Sequence, residues 1–368
     1  MPRQILLSTL LLAVCFFTSG VCQQAPTEPE PPVKGYATYD ELFDDFQKQR
    51  EVLFTRMDRL REQETTKPEE MQAIESELRR LDGRYADALD TYIQGHPDAK
   101  DLMPARFELA VALSRIDDKL ERAILAADDF LKNHADAELA PDVRFLKGQT
   151  LFRLQGRENE ALAALDEFID KHSERQEADS ARMMRVRTLL FLDKTADARR
   201  SLEALLKSER VKGDEDAAEF LRVQLENLDW IGKKLPAFKL ADLAGQVRES
   251  ADYEGKPTLL FVWDSNSTAC LGELPFVQEA FKRHKDKLNF LGISVNESKP
   301  ALEQWLARNP EAVGFPTVWI DRDEENSLVK KLSVSLIPFL VLVGSDGKIF
   351  RYDVRSDDML RYTAMLAK

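Results

Sequence analysis

The stretch Thr258-Leu-Leu-Phe-Val-Trp-Asp-Ser-Asn-Ser-Thr-Ala-Cys-Leu-Gly-Glu-Leu-Pro275 decides the fold of this chain. Its first six residues form a nearly continuous apolar run, which is typical of a buried strand. The polar residues that follow predict a turn, and a helix is expected to begin close to Cys270. The sequence therefore places a cysteine at the start of a helix, with Ser267 three positions before it.

Residues 261–275 resemble the redox site of the TlpA-like thioredoxins, an extracytoplasmic group that includes cytochrome-maturation reductases. In that family both ends of a C-x-x-C motif are cysteines, and the first is the nucleophile. Here Ser267 stands at the first position, and Cys270 matches the second, which resolves the mixed disulfide in the family. The resemblance implies a thioredoxin fold, and the serine predicts a degenerate redox site.

Two further segments carry the same resemblance, which extends over residues 231–355. The first follows the family pattern G-x-x-x-P-x-F-x-L-x-D-x-x-G over residues 232–245. The second, residues 334–347, resembles the family's closing segment, in which a cis proline faces the redox site. We expect Pro338 to be that proline, because a proline that feeds a strand is otherwise badly placed. An ordinary trans proline at a sheet edge is the alternative.

Length and charge limit the classes of protein to which this chain can belong. Its 368 residues exceed what one hydrophobic core usually serves, so two domains are expected. The net charge of −13 argues against nucleic-acid binding, which needs a basic face. The sequence contains no glycine-rich nucleotide-binding loop, and no cofactor is expected.

The amino terminus predicts export. Residues 1–22 have a basic start, a short apolar run and then small residues, which is the pattern of a secretory signal peptide. The alternatives are an uncleaved anchor and a lipoprotein acylated at Cys22, although Val21 stands where such sites normally have a smaller residue. Residues 23–38 predict a proline-rich acidic linker. The expected location is the periplasm or cell envelope, with no transmembrane segment after signal cleavage.

The cysteine count limits the redox chemistry of the exported chain. The sequence contains Cys15, Cys22 and Cys270. Removal of the signal peptide would leave a single thiol, so no internal disulfide could form. If cleavage follows Gly20 instead, Cys22 remains as the only conceivable internal partner for Cys270.

Residues 39–230 are predicted to be helical and repetitive. His96, His134 and His172 lie 38 residues apart, each at the end of a predicted helix. A helix-pair period of this length indicates an α-solenoid, and it resembles the tetratricopeptide-like repeats. Such an array is expected to bind a protein or peptide. A metal site is not expected, because neighbouring repeats separate the histidines by about 10 Å and zinc ligands lie about 2 Å from the ion. A structural role at helix ends is predicted instead.

Three arginines share one register of the repeat: Arg106, Arg144 and Arg182. They could line a groove for acidic peptides, but pairing with nearby carboxylates is the preferred interpretation. Four aromatic residues could similarly form a docking surface beside the site: Trp263, Trp305, Trp319 and Phe339. Core packing is preferred for them, since two lie on predicted strands.

Cys270 is expected to be an inert, buried thiol. Its charged neighbours along the chain are Asp264 and Glu273, so only the helix terminus favours the thiolate. A serine hydrolase at Ser267 is excluded by distance: His284 lies fourteen residues beyond Cys270 on the same predicted helix. That spacing corresponds to about 21 Å, whereas a catalytic base must lie within about 3 Å.

A peroxidase is the enzymatic alternative. Ser267 and Cys270 fit the last half of the peroxiredoxin motif P-x-x-x-T/S-x-x-C, but Trp263 replaces its proline. The activating arginine that peroxiredoxins place near Pro338 is also missing from the sequence. Such an enzyme would need an external thiol to reduce its sulfenic acid, as would a monothiol reductase.

The predicted fold class is therefore multidomain: an all-α tetratricopeptide-like solenoid at residues 39–230, followed by an α/β thioredoxin-like domain at residues 231–368. The predicted function is non-catalytic protein binding in the cell envelope. The alternative is a thiol-dependent oxidoreductase that uses Cys270. The candidate site residues are Cys270, Ser267 and Pro338, and no metal or nucleic-acid partner is expected.

Overall fold

The computed structural model describes residues 35–62, 68–209, 211–321, 324 and 327–368. The predicted signal peptide, residues 1–22, and most of the predicted linker lie outside the described residues. The described residues form two compact units, which divide between Leu102 and Met103. This division does not fall between residues 230 and 231, so the domain boundary expected there stays a prediction.

The first unit contains two long helices, α1 (Tyr39–Arg61) and α2 (Pro68–Gly95). The hydroxyl of Thr38 caps α1 by accepting a hydrogen bond from the backbone N–H of Glu41 at 3.3 Å. This bond satisfies one of the free donors in the first turn. The apolar stripe of α1 packs against α2, where the rings of Phe46 and Tyr85 are 5.0 Å apart.

The helical part of the second unit is built from helices that are consecutive in the chain. Its helices are α3 (Leu102–Ser114), α4 (Leu120–Asn133), α5 (Ala140–Arg153), α6 (Glu158–Lys171), α7 (Glu177–Phe191), α8 (Thr195–Leu206) and α9 (Glu215–Trp230). From α4 to α9 each helix packs on the next. Among the described residues, nine α-helices precede the first strand, which confirms the predicted all-α region. Its classification as a tetratricopeptide-like solenoid remains an interpretation of the repeat period.

The repeated histidines lie at helix ends. His134 follows α4, where its backbone N–H donates to the carbonyl of Phe130 at 2.8 Å and the two rings lie 5.3 Å apart. His172 follows α6 and makes the same contacts with Phe168, at 2.9 and 5.4 Å. His96 follows α2 in the first unit. Within the ranges that the structure describes, no group of three or more histidine, cysteine or acidic side chains could hold a metal ion.

The arginines that share a register are engaged by carboxylates of the array. The pairs are Arg106 with Asp129 at 3.1 Å, Arg144 with Glu167 at 3.9 Å and Arg182 with Asp179 at 2.9 Å. This pairing agrees with the preferred interpretation rather than with a groove of free cations.

The C-terminal part is a mixed sheet between helices. A hairpin of β1 (Lys239–Ala241) and β2 (Val247–Glu249) precedes β3 (Thr258–Trp263), β4 (Asn289–Ser294), β5 (Thr317–Trp319), β6 (Phe339–Val343) and β7 (Ile349–Tyr352). The helices are α10 (Thr268–His284), α11 (Lys299–Arg308), α12 (Leu328–Lys331) and α13 (Ser356–Leu366). The sheet order is β5-β4-β3-β6-β7; β3, β4 and β5 are parallel, and β6 is antiparallel to both of its neighbours.

The central strand β3 explains why the opening stretch decides the fold. All six of its residues are buried, and alternate side chains enter different cores. Phe261 and Trp263 belong to the core that contains Cys270, whereas Leu260 and Val262 belong to the core on the opposite face. A strand buried on both faces requires apolar residues at every position, which is the pattern observed.

The four aromatic residues considered for docking contribute to packing. Trp263 and Phe339 are buried, and Trp305 meets Trp263 edge-on at 5.5 Å. Trp319 is half-buried, and its indole N–H donates to the backbone carbonyl of Asn296 at 2.8 Å. Of the helices that the structure describes, none combines the length and the apolar character needed to cross a membrane.

Candidate functional site

Ser267 and Cys270 lie at the beginning of α10, directly after β3. Ser267 is the N-cap of the helix, and its hydroxyl oxygen accepts a hydrogen bond from the backbone N–H of Cys270 at 3.3 Å. Cys270 is fully buried in the core that also contains Trp263 and Leu274. Ser267 therefore performs the structural work of a helix cap at the position where the resembling family has its nucleophile.

The thiol of Cys270 is disfavoured as a nucleophile. Burial raises its pKa, and the carboxylate of Asp264 raises it further. The hydroxyl of Ser267, a backbone hydrogen bond at Asp264 and the guanidinium of Arg355 act in the opposite direction, but the pKa remains above its usual value. Because the thiolate is the reacting form, the site is less reactive than an exposed thiol at neutral pH.

Arg355 is a cation that sequence reasoning missed. It immediately precedes α13, 85 positions after Cys270, and it pairs with Asp353 at 3.1 Å. The positive charge of Arg355 favours the Cys270 thiolate. The sequence had suggested the helix terminus as the only favourable influence, and Arg355 is a second one. No pattern near Cys270 in the sequence could reveal this influence, because it arises only when the fold brings the end of β7 beside the beginning of α10.

Asn296 holds the turn that connects β3 to α10. Its side-chain N–H₂ donates to Asp264 at 2.9 Å and to the hydroxyl of Ser265 at 2.7 Å. Its side-chain oxygen accepts from the hydroxyl of Ser294 at 2.8 Å and from the backbone N–H of Ser265 at 3.3 Å. The amide of this buried residue is thus satisfied on both sides, which fixes the turn in one conformation.

Glu273 lies one turn after Cys270 and is buried. Its carboxylate accepts hydrogen bonds from the backbone N–H and the hydroxyl of Ser356, the latter at 2.9 Å. Burial raises the pKa of this carboxyl group, while the two hydrogen bonds from Ser356 lower it. Ser356 itself has a φ of 49°, so the first residue of α13 adopts the left-handed conformation while bonded to Glu273.

The third candidate residue, Pro338, is buried and precedes β6. The Ile337–Pro338 peptide bond is cis. The expectation that this proline faces Cys270 stays a prediction. Across the part of the chain that the structure describes, Cys270 is the only cysteine, and it is a free thiol; Cys15 and Cys22 lie outside the described residues.

The raised pKa gives a direct expectation for the reactivity of Cys270. Iodoacetamide labelling of the folded chain should rise with a pH midpoint above that of the same cysteine in the unfolded chain, because burial favours the neutral thiol. The measurement is the rate of modification of the Cys270 peptide, followed by mass spectrometry in buffer and in guanidinium chloride. A midpoint in the folded chain below the unfolded value would show an activated thiol.

The C-terminal part is similar to known redox proteins. Residues 231–360 match the AhpC/TSA family. Thiol-disulfide oxidoreductase ResA of Bacillus thuringiensis is 29% identical over 122 residues, which cover 33% of this chain and 68% of the relative. Thiol:disulfide interchange protein DsbE of Vibrio cholerae is 27% identical over 124 residues, or 33% of this chain and 63% of the relative.

Solved structures were found for the same part of the chain. The C-terminal domain of a thiol-disulfide oxidoreductase from Bacteroides thetaiotaomicron is 27% identical, with a TM-score of 0.34, and the match covers 37% of this chain and 95% of that domain. The predicted resemblance is confirmed for this part: it has a thioredoxin-like fold and is similar to thiol-disulfide oxidoreductases.

Proposed function

We infer that this chain is a non-catalytic protein-binding module of the cell envelope, in which a thioredoxin-like part has lost its dithiol chemistry. One observation carries the proposal: the residue at the nucleophile position is a serine that caps α10, and the remaining thiol, Cys270, is fully buried. Disulfide exchange requires attack by an accessible thiolate on a disulfide sulfur. A capping hydroxyl cannot take that role, and a buried neutral thiol takes it poorly.

The surroundings of Ser267 also speak against activation of its hydroxyl. The side-chain oxygen Oδ1 of Asp264 already accepts from the backbone N–H of Asn266 at 2.8 Å and from Asn296 at 2.9 Å. His284 lies at the opposite end of α10. A serine nucleophile needs an adjacent general base, and neither of these residues is arranged as one.

The location in the envelope is proposed from the sequence. Residues 1–22 have the pattern of a secretory signal peptide, and the resembling family is extracytoplasmic. In this location the protein would meet unfolded or assembling partners through surfaces of the helical array and of the thioredoxin-like part. Anchoring through a lipid at Cys22 is the variant of this proposal.

A thiol-dependent oxidoreductase is the second candidate, and one observation favours it. Arg355 and the Ser267 hydroxyl both lower the pKa of Cys270, although burial outweighs them. An enzyme of this kind would use Cys270 as a peroxide-reactive thiol or as a monothiol reductase, and an external thiol would complete its cycle.

The proposed function predicts that the purified chain does not reduce insulin-type disulfides and that partner capture survives loss of the thiol. Cys270→Ala should leave capture from envelope extracts within about twofold of the unaltered chain, because it shortens one small buried side chain without touching a surface. The measurement is quantitative pull-down with both chains at matched concentration. The oxidoreductase would be supported instead by two results together. Cys270→Ala would abolish capture, and thiol-specific crosslinking would detect the captured partner in the unaltered chain.

A further inference from the structure

Within the second unit, the helices α5 and α7 contact the thioredoxin-like part directly. Phe191 of α7 belongs to the same buried cluster as Leu340 of β6, and its ring lies 4.8 Å from that of Tyr362 on α13. Phe152 of α5 extends this contact, with its ring 6.0 Å from that of Phe191. The core of the thioredoxin-like part is therefore completed by side chains from the helical array.

Arg361 of α13 is held by three groups of the array. Its Nη1 donates to the backbone carbonyl of Phe152 at 2.8 Å, and its Nη2 donates to the carboxylate of Glu158 at 2.5 Å. Its guanidinium carbon lies 3.8 Å from the centre of the Phe191 ring. Arg361 is only 7% exposed, so these contacts replace part of the water that a free guanidinium would bind, while its Nε makes no hydrogen bond.

Arg351 of β7 is also buried and hydrogen-bonded to the helical array. It is 2% exposed, and its Nη2 donates to the backbone carbonyl of Leu190 at 2.5 Å. Leu190 lies in the last turn of α7, as Phe152 lies in the last turn of α5. Carbonyls at helix carboxy termini lack partners within the helix and carry partial negative charge. The array thus presents acceptors where the thioredoxin-like part presents buried cations.

A further ion pair holds the beginning of α13. Arg187 of α7 forms two hydrogen bonds with Asp358, at 2.8 and 2.6 Å. We call Phe152, Glu158, Arg187, Leu190 and Phe191 together the clamp surface. Its aromatic rings, charged side chains and helix-end carbonyls all contact groups of α13 and β7. The clamp surface is therefore covered by the C-terminal part of the same chain.

The clamped helix is bonded to the site helix. Asp358 and Arg361 lie on α13, whose first residue is Ser356. Ser356 donates two hydrogen bonds to the carboxylate of Glu273, which lies one turn after Cys270 on α10. A continuous series of contacts therefore runs from the clamp surface through α13 to the segment that contains the thiol.

We propose that the clamp surface controls the site: its contacts with α13 hold the hydrogen bonds between Ser356 and Glu273 in place, and weakening those contacts loosens the first turns of α10. The coupling goes beyond the proposed function, since it holds for an inert thiol and for a reactive one.

The test is the rate at which iodoacetamide modifies Cys270 in the full chain under native conditions. The rate is read at the Cys270 peptide by mass spectrometry, so that Cys15 and Cys22 do not contribute. Local opening limits labelling of a buried group, and coupling free energies commonly correspond to about 5–150-fold. Glu158→Ala should therefore raise the rate at least about tenfold. The matched control is Glu160→Ala, which removes an exposed carboxylate from the same helix and should change the rate less than about twofold.

A double variant tests the path. If the effect passes through the Ser356–Glu273 link, Glu273→Ala, which removes the acceptor of both hydrogen bonds, should raise the rate by itself. Adding Glu158→Ala should then change the rate by less than about twofold. Circular dichroism and thermal unfolding establish that each variant is folded. If Glu158→Ala unfolds the chain, Asp358→Asn, which weakens the pair with Arg187, takes its place with the same expectation. Folded variants that label at the unaltered rate, or effects that multiply in the double variant, overturn the proposal.

Discussion

Ser267→Cys is expected to give the chain a disulfide-reductase activity far above that of the unaltered chain. The substitution restores the C-x-x-C spacing with Cys270, and position 267 is half-buried, more accessible than the buried thiol. Loss of a nucleophile generally costs an enzyme several orders of magnitude in rate, so its return should raise insulin reduction roughly a hundredfold or more above the unaltered chain. The measurement is turnover with dithiothreitol as the electron source.

Two matched variants sharpen this experiment. Asn266→Cys places a thiol on the neighbouring exposed residue, outside the C-x-x-C spacing, and should not support turnover. In the absence of dithiothreitol, Ser267→Cys combined with Cys270→Ala should accumulate a mixed disulfide with substrate, because the thiol that resolves it is absent. The interpretation of Ser267 as the replaced nucleophile is wrong if Ser267→Cys is no faster than Asn266→Cys, or if the unaltered chain already matches an intact C-x-x-C thioredoxin.

Leu151→Asp is expected to destabilise the helical array and abolish partner capture. Leu151 is 1% exposed in α5 and packs with Ile124 and Ala161. Loss of a buried leucine side chain costs about 2–5 kcal/mol, and an unpaired buried charge adds a further penalty of several kcal/mol. The expected results are a large fall in the melting temperature of the array and loss of pull-down from envelope extracts.

The control for this substitution is Gln155→Asp, which introduces the same side chain at an exposed position just after α5. It should leave both stability and capture nearly unchanged. Near-ultraviolet circular dichroism must show that the thioredoxin-like part of Leu151→Asp remains folded, since Phe152 next to the substitution packs against the core of that part. Capture at the unaltered level by a chain with a disrupted array would remove the array from the proposed function.

The elements predicted best from the sequence are those whose signal is local and dense. The apolar run of β3 could be read because both faces of the strand are buried, and the helix ends were marked by the spacing of His134 and His172. Burial of Cys270 was expected from its match to the second cysteine of the resembling family's motif and from the lack of a cation near it in the sequence. The first two predictions needed only neighbouring residues and one periodic rule.

The features that were missed depend on contacts between distant parts of the chain. The charge of Arg355 influences the pKa of the thiol, and Ser356 bonds Glu273, only because β7 returns beside the beginning of α10. The burial of Arg351 and Arg361 could not be predicted either. An arginine is ordinarily a surface residue. Nothing near these two arginines in the sequence shows that helix carbonyls 161 and 209 positions away will accept hydrogen bonds from them.

The capping role of Ser267 separates the stability of α10 from redox chemistry. A serine at an N-cap contributes about 0.5–2 kcal/mol relative to alanine. The Ser267 hydroxyl therefore stabilises the start of the helix whether or not Cys270 reacts. Replacement by alanine would remove this contribution without touching the thiol, whereas replacement by cysteine would exchange the cap for a second thiol three positions before Cys270.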